Sequence, residues 1–428
     1  MNTINSVLSN SNNIYKNNKT TFVSIFFLIL ITFSYKINFL YNILLLKYLY
    51  YFLNAVIGMY LIVKYYKATF RVLDKNYRLI LILTLTWVIL SSFNNGVLSI
   101  AMAFLSVINI ITWGVILPYF FLSYSSVFLF LKKVLLYFLF LSGFISLILP
   151  SLGFSNGRMT GVFVAVAPFT NFLIISAVFL FPWVRQTKKW VPLLLSLFFQ
   201  LLTQTRSSIM TTVTAMIFSF YALKKKKLLS IYTICLALLI ALFSVLMIAL
   251  VTEKPILDSL SSVRDSASVY NVNLDNVLMQ NIRSFMPDFI GDALDDRIFH
   301  WALGVEKIFD DPFFGRGLGG MFQSNNESAN SVTGYHHSLQ AHNLFIEAGV
   351  NFGLPLVLLT FFIYLLVIKK IFFVFKHVEV KEPLIISSAT FSLVCIILAG
   401  VGIEWFMPSH FLNKFWWLSA GILHTNQN

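Results

Sequence analysis

Apolar runs about as long as a bilayer is thick recur along most of this chain, and they leave it few ways to fold. A stretch of ~18 or more apolar residues reads as a spanning helix. Backbone groups in lipid must be satisfied internally, so a span is a helix or part of a closed barrel. The runs here do not alternate as barrel strands do. Composition agrees, with 58% of residues hydrophobic, 11% charged and 45 of 428 Phe. A soluble protein cannot cover that much apolar surface. The sequence therefore predicts an all-α polytopic membrane protein of about 12 transmembrane helices (range 10–13) with one large, partly helical periplasmic loop. The predicted spans are 21–35, 48–63, 79–93, 98–120, 134–150, 162–183, 190–203, 207–223, 228–251, 350–368, 384–403 and 411–424.

Charge orients these spans. With the N-terminus inside, the inner segments hold 20 of the 31 Lys and Arg, in clusters such as Lys64–Arg78, Lys224–Lys227 and Lys369–Lys381. Short basic inner loops and outer loops nearly free of Lys and Arg form the positive-inside pattern. The net charge of +14 is thus mostly topology beside anionic lipid. No basic stripe with interleaved aromatics points to nucleic acid. The organisation expected is nine helices over 1–251, a large external loop over 252–349 and three helices over 350–428. The polar stretch with Lys16 and Lys19 before the first apolar run resembles a signal peptide. No small-x-small cleavage site follows, so a retained first helix behind a cytoplasmic tail is expected.

Both cysteines, Cys235 and Cys395, fall in predicted spans, which leaves the external loop without a disulfide or thiolate metal site. Asp292–Phe309 reads as an amphipathic helix with Trp301, Val305, Ile308 and Phe309 on one face and Arg297 one turn before Trp301. Pro312 ends it, and Gly315-Arg316-Gly317-Leu318-Gly319-Gly320 makes a tight turn. That turn follows no strand and lacks the Lys-Ser/Thr of a nucleotide loop. Gln340-Ala341-His342-Asn343 then leads to the tenth span.

The unusual residues share the outer face. Arg158, Arg206, Arg297 and His342 all fall there, opposite most of the positive charge. An external cavity for an anion explains them most simply. Each has a plainer use as well. Arg158 suits an interfacial snorkelling arginine, Arg206 a structural pair with a carboxylate, Arg297 a solvated helix face, His342 a helix cap and Arg316 an exposed turn. His336, His337 and His342 lack a fourth ligand at zinc spacing.

In order, these elements resemble the O-antigen polymerase and O-antigen ligase superfamily of bacterial envelopes. Gly157-Arg158-Met159-Thr160-Gly161-Val162-Phe163, with Pro168 and Asn171 after it, looks like the family's Arg-x-x-Gly-x-Phe element. Thr203-Gln204-Thr205-Arg206-Ser207 looks like its Ser/Thr-Arg element. Arg297 to Trp301, Pro312 and the glycines from Gly315 look like its loop helix and turn. His342-Asn343 to Gly353 looks like its His-Asn element. The resemblance spans roughly 150–360, and Asn171 is displaced from its usual place directly after proline.

The resemblance implies metal-independent glycosyl transfer, without a cofactor, at the outer face of the plasma membrane. The donor would be an oligosaccharide on undecaprenyl pyrophosphate. A polymerase moves the growing chain onto a new lipid-linked repeat unit, whereas a ligase moves it onto lipid A–core. Arg158 and Arg206 would stabilise the departing pyrophosphate, since guanidinium forks match phosphate oxygens. His342 would be the general base on the acceptor hydroxyl. Arg297, Arg316, Asn343 and Trp301 would bind substrate. Membrane lipid and a chain-length regulator protein are the implied partners. Polymerase is the leading expectation and ligase the alternative. A lipid-linked-sugar flippase is a third reading. A transporter would place ionisable groups mid-membrane in broken helices, and such groups look nearly absent here.

Overall fold

The computed structural model describes residues 19–34, 44–155, 158–163, 166–203, 212–213, 304–305, 307–317, 343–376, 389–390, 392–393 and 411–425. Nearly all of this is helix. In chain order the helices are α1 (Lys19–Ser34), α2 (Leu44–Val72), α3 (Lys75–Ser92), α4 (Gly96–Ile111), α5 (Leu117–Ser123), α6 (Ser125–Ile148), α7 (Val166–Thr187), α8 (Val191–Leu202), α9 (Leu344–Phe352), α10 (Leu354–Lys376) and α11 (Phe411–His424). A π turn, Thr112–Ile116, joins α4 to α5 without breaking the rod. Among the described residues, four stretches are long and apolar enough to cross a membrane: Lys75–Asn95, Ser99–Ser123, Ser125–Ile148 and Leu354–Val374. At about 1.5 Å per residue, α6 alone reaches about 36 Å, more than a ~30 Å hydrocarbon core. Shorter apolar helices cover Thr20–Phe33, Phe169–Val184 and Val191–Leu202. The predicted spans 207–223, 228–251 and 384–403 lie essentially outside the described residues.

Two boundaries differ from the sequence reading. Lys132 and Lys133 were expected in a loop before a span at 134, but α6 starts at Ser125 and carries both. The Lys132 ammonium lies 4.5 Å from the centre of the Trp183 ring. A long stem and a cation–π contact let a lysine ride on a helix near the interface. The tenth span is also shorter at its start than expected. Gly353 adopts φ +82° and separates the nine-residue α9 from α10. His342-Asn343 therefore precedes a short helix rather than the span itself.

The bundle is held by aromatic packing and close backbone approach. Phe33, Phe163, Phe169 and Phe172 are fully buried between α1, α6 and α7. α11 packs on the π turn, with Trp113, Trp416 and Trp417 buried at that contact. Gly421 of α11 lies so close to the Gly114 carbonyl that a Cβ would collide with it. Small residues at helix contacts allow such approach, which in lipid substitutes for a hydrophobic driving force.

The two ends of the bundle differ. At one end Leu73 bridges to Thr425, and the Asp74 N–H donates to the His424 carbonyl at 2.8 Å. Lys370 reaches Asp74 at 3.7 Å, and Thr21 meets Tyr65 at 2.7 Å. The opposite end carries the turn after α3, the end of α6 and the segments around Gly315 and Gly353. That end positions the candidate site.

Candidate active site

Arg158 sits in a minimal hairpin. Phe154–Ser155 and Arg158–Met159 pair antiparallel, Phe154 with Met159 and Ser155 with Arg158. Proline after α6 explains the turn away from the helix, since Leu149, preceding Pro150, takes an extended φ of −125°. Past the hairpin, Gly161 takes φ +59°, and a Cβ there would lie 2.8 Å from both Phe169 and Ser142. Phe163 is buried against Phe138, Phe169 and Phe172. The Arg-x-x-Gly-x-Phe pattern thus has a physical reading. Phenylalanine plugs the core, glycine makes the crowded turn, and arginine is left half-buried at the rim.

There the Arg158 Nε–H donates to the Thr203 carbonyl at 2.9 Å. Thr203 ends α8, and its hydroxyl donates to the Gln200 carbonyl at 2.7 Å. A cation at a helix C-terminus meets unsatisfied carbonyls and the negative end of the dipole. A charged donor on a carbonyl contributes about 1.5–3 kcal/mol. One of the five guanidinium hydrogens is used in this way, and the Nη end of the fork makes no hydrogen bond to the described residues. Among the described residues, no carboxylate pairs with Arg158. Thr203 stands three residues before Arg206, so the contact brings together the two arginine elements that lie 45 residues apart at this bond. Arg206 itself lies outside the described residues, as do Arg297, Trp301, His336, His337 and His342.

The glycine turn is a backbone clasp. The Arg316 and Gly317 N–H groups donate to the Val350 and Asn351 carbonyls at 2.7 and 2.9 Å, and Leu354 N–H donates to the Pro312 carbonyl at 2.7 Å. A Cβ on Gly315 would lie 2.5 Å from the Phe352 nitrogen, and one on Gly317 would lie 2.6 Å from Ser99 Oγ. The Arg316 side chain pairs with Asp310 at 2.5 Å. From α3, Trp87 Nε1 donates to the Phe352 carbonyl at 2.9 Å and its ring stacks on Phe314. Asn95 Nδ2 donates to the Gly315 carbonyl at 3.2 Å. The turn is thereby fixed to the bundle end.

Asn343 is the N-cap of α9. Its φ of −139° is extended, and its Oδ1 accepts from the Phe345 and Ile346 N–H groups at 3.0 and 3.4 Å. Glu347, in the first turn, is buried. Arg316 and Asn343 therefore belong to one unit, since the helix that Asn343 caps supplies the carbonyls that hold Arg316. No described contact joins this unit to the Arg158 hairpin.

Three contributors were not anticipated. Trp87 and Asn95 had no local signal, because their partners lie 265 and 220 residues away. Lys414 had one: it is a lone cation in a short apolar span. It is 2% exposed, and its Nζ donates to Tyr50 OH at 2.6 Å and to Thr32 Oγ1 at 3.2 Å. The spans are thus not free of buried ionisable groups.

Residues 191–362 match the family model described as O-Antigen ligase. The match supports the O-antigen polymerase and ligase superfamily for that stretch. The match covers α8, the glycine clasp, α9 and the first part of α10, and it begins after the Arg158 hairpin that bonds to α8. The superfamily covers O-antigen polymerase and ligase activity, on lipid-linked glycan substrates in the membrane. Together with the apolar helices, it marks a membrane protein. No curated protein matches the chain.

Proposed function

We propose that this chain is an O-antigen or capsular polysaccharide polymerase. It extends a glycan at the outer face of the plasma membrane by transferring the growing chain from undecaprenyl pyrophosphate to a new lipid-linked repeat unit. The acceptor hydroxyl attacks the anomeric carbon of the donor sugar. Its proton passes to His342, the glycosidic bond to the pyrophosphate breaks, and the lipid pyrophosphate leaves with the bonding electron pair. Negative charge grows on that leaving group, and guanidinium groups held in place beforehand stabilise it without reorganising. Arg158 and Arg206 do this, with Arg297 closing over the donor.

The observation that carries the reading is the bond from Arg158 to Thr203. It supports convergence of the two arginines, because three peptide steps separate Thr203 from Arg206, at most about 11 Å of chain. Sidedness supports it too. Asp74, Lys370 and Thr21 lie at one end of the bundle, where positive-inside reasoning expects the cytoplasm. Arg158 and the glycine clasp lie at the other. The family description favours a second reading, a ligase that transfers the finished glycan to lipid A–core.

The lipopolysaccharide gel of a deletion strain separates these. A polymerase predicts loss of the ladder with a single repeat unit left on core. Core with no repeat unit means ligase, and an unchanged glycan pattern removes both.

A further inference from the structure

Three lysines gather at the end of the bundle opposite Arg158. Lys132 and Lys133 lie two turns into α6, and Lys189 lies in the turn between α7 and α8. Tyr124, just before α6, meets Phe22 edge-on at 5.1 Å, and Lys64 donates to the adjacent Thr21 at 3.0 Å. The start of α6 is thereby at the end that the positive-inside pattern assigns to the cytoplasm. The Lys132 ammonium sits 4.5 Å from the centre of the Trp183 ring. Lys188 takes the left-handed φ of +56°, and after this turn Lys189 stands close enough for its charge to act on Lys132, as does Lys133. Like charges so placed repel unless an anion lies among them. The carboxylate at this end, Asp74, is engaged by Lys370 and His424. Among the described residues, none of the three lysines has an ion pair.

We infer that Lys132, Lys133 and Lys189 form a discrete binding site for an inner-leaflet phospholipid with two phosphodiester groups, such as diphosphatidylglycerol. Depth favours a lipid over a soluble anion. Lys132 leaves α6 about 10 Å along the axis from Ser125, whereas the helix exceeds the hydrocarbon core by only about 6 Å in all. Its stem must therefore snorkel back to the level where lipid phosphates sit. Lys133 shares the exposed stripe of α6 with Leu129 and Tyr137, and Leu194 is exposed on α8, so acyl chains find apolar surface directly beyond the charges. Charge favours two phosphates. One phosphodiester would cancel one of three ammonium groups, and two bring the cluster near balance. Basic clusters between helices on the cytoplasmic side suit such headgroups. A lipid held there braces α6 against the turn that leads into α8.

The test is native mass spectrometry of the purified full-length protein in detergent, mixed with diphosphatidylglycerol, phosphatidylglycerol or phosphatidylcholine of one chain length. One equivalent of diphosphatidylglycerol should be retained at concentrations where the other two are not. Lys132→Gln combined with Lys189→Gln should weaken that retention roughly thirtyfold. Lys75→Gln removes an exposed positive charge from the same end and should leave it unchanged. Lys132→Arg keeps a cation beside Trp183 and should keep most of the affinity, which separates loss of the site from loss of the fold. The deacylated headgroup, with both phosphates and no chains, should not compete. Equal retention of phosphatidylglycerol, an equal loss in Lys75→Gln, or unchanged affinity in the double variant would overturn the site. Competition by the deacylated headgroup would replace the lipid with a soluble anion.

Discussion

Arg158 and Arg316 both stand close to glycines with positive φ, at the same end of the bundle, yet they are held in opposite ways. Arg158 is anchored by a neutral carbonyl at a helix terminus, so its position is fixed while, among the described residues, no carboxylate cancels its charge. Arg316 is anchored by the Asp310 carboxylate, and its backbone N–H is tied to Val350. The same contrast divides the His-Asn element. The Asn343 oxygen is occupied by two backbone N–H groups of α9, whereas the proposed role of His342 needs a free imidazole nitrogen. Motifs that look alike in sequence thus mix side chains proposed to face a ligand with side chains that build the frame. What separates them is whether a polar group is already answered from within the protein.

The largest effect that would test this division is expected at His342. His342→Ala should lower chain extension by about 10²–10⁴-fold, the usual range for a general base, while donor binding survives. His336→Ala and His337→Ala should do much less. Next comes Arg158→Ala, for which a loss of about 10²–10³-fold in turnover is expected with membrane-inserted protein unchanged. Arg158→Lys keeps the charge but not the planar fork, so turnover of the purified protein should recover only in part. Asn343→Ala should cost about 0.5–2 kcal/mol as a lost N-cap, read as a lower thermal midpoint in detergent. Its transfer rate should follow the amount of folded protein. The smallest effect belongs to Arg316→Ala, since an exposed pair contributes about 0–1 kcal/mol. If Arg316→Ala stopped transfer as Arg158→Ala does, the division would fail and Arg316 would join the ligand-facing set.

Hydropathy made the helical class legible, because a long apolar run has no other stable state in lipid. Boundaries were less legible where long side chains blur them. Lys132 looked like loop and lies on α6 beside Trp183. Gly353 looked like one more small residue in a span, and only its φ of +82° reveals the break. The turn at Gly315 was readable from its glycines and Pro312, but its purpose was not. The atoms that forbid a Cβ there belong to Phe352 and Asn351, a contact no local pattern encodes. The Arg158 contact with Thr203 was legible only as two motifs on a shared face. Lys414 was passed over, because its partners Tyr50 and Thr32 lie more than 360 residues away in sequence.

The clasp between Gly317 and Asn351 also bears on how such a chain can diversify. In sequence, 25 residues, 318 to 342, separate Gly317 from Asn343. Both points are pinned to α9, whose nine residues extend about 13 Å. The separation of the two ends is therefore set by the frame and not by what lies between them. Closing a flexible stretch between fixed ends costs only about 0.6 kcal/mol more for each doubling of its length. On that scaling, the number of residues between Gly317 and Asn343 has little bearing on the helices that hold these two points. Chain length between two such points can vary while the frame that holds them stays unchanged.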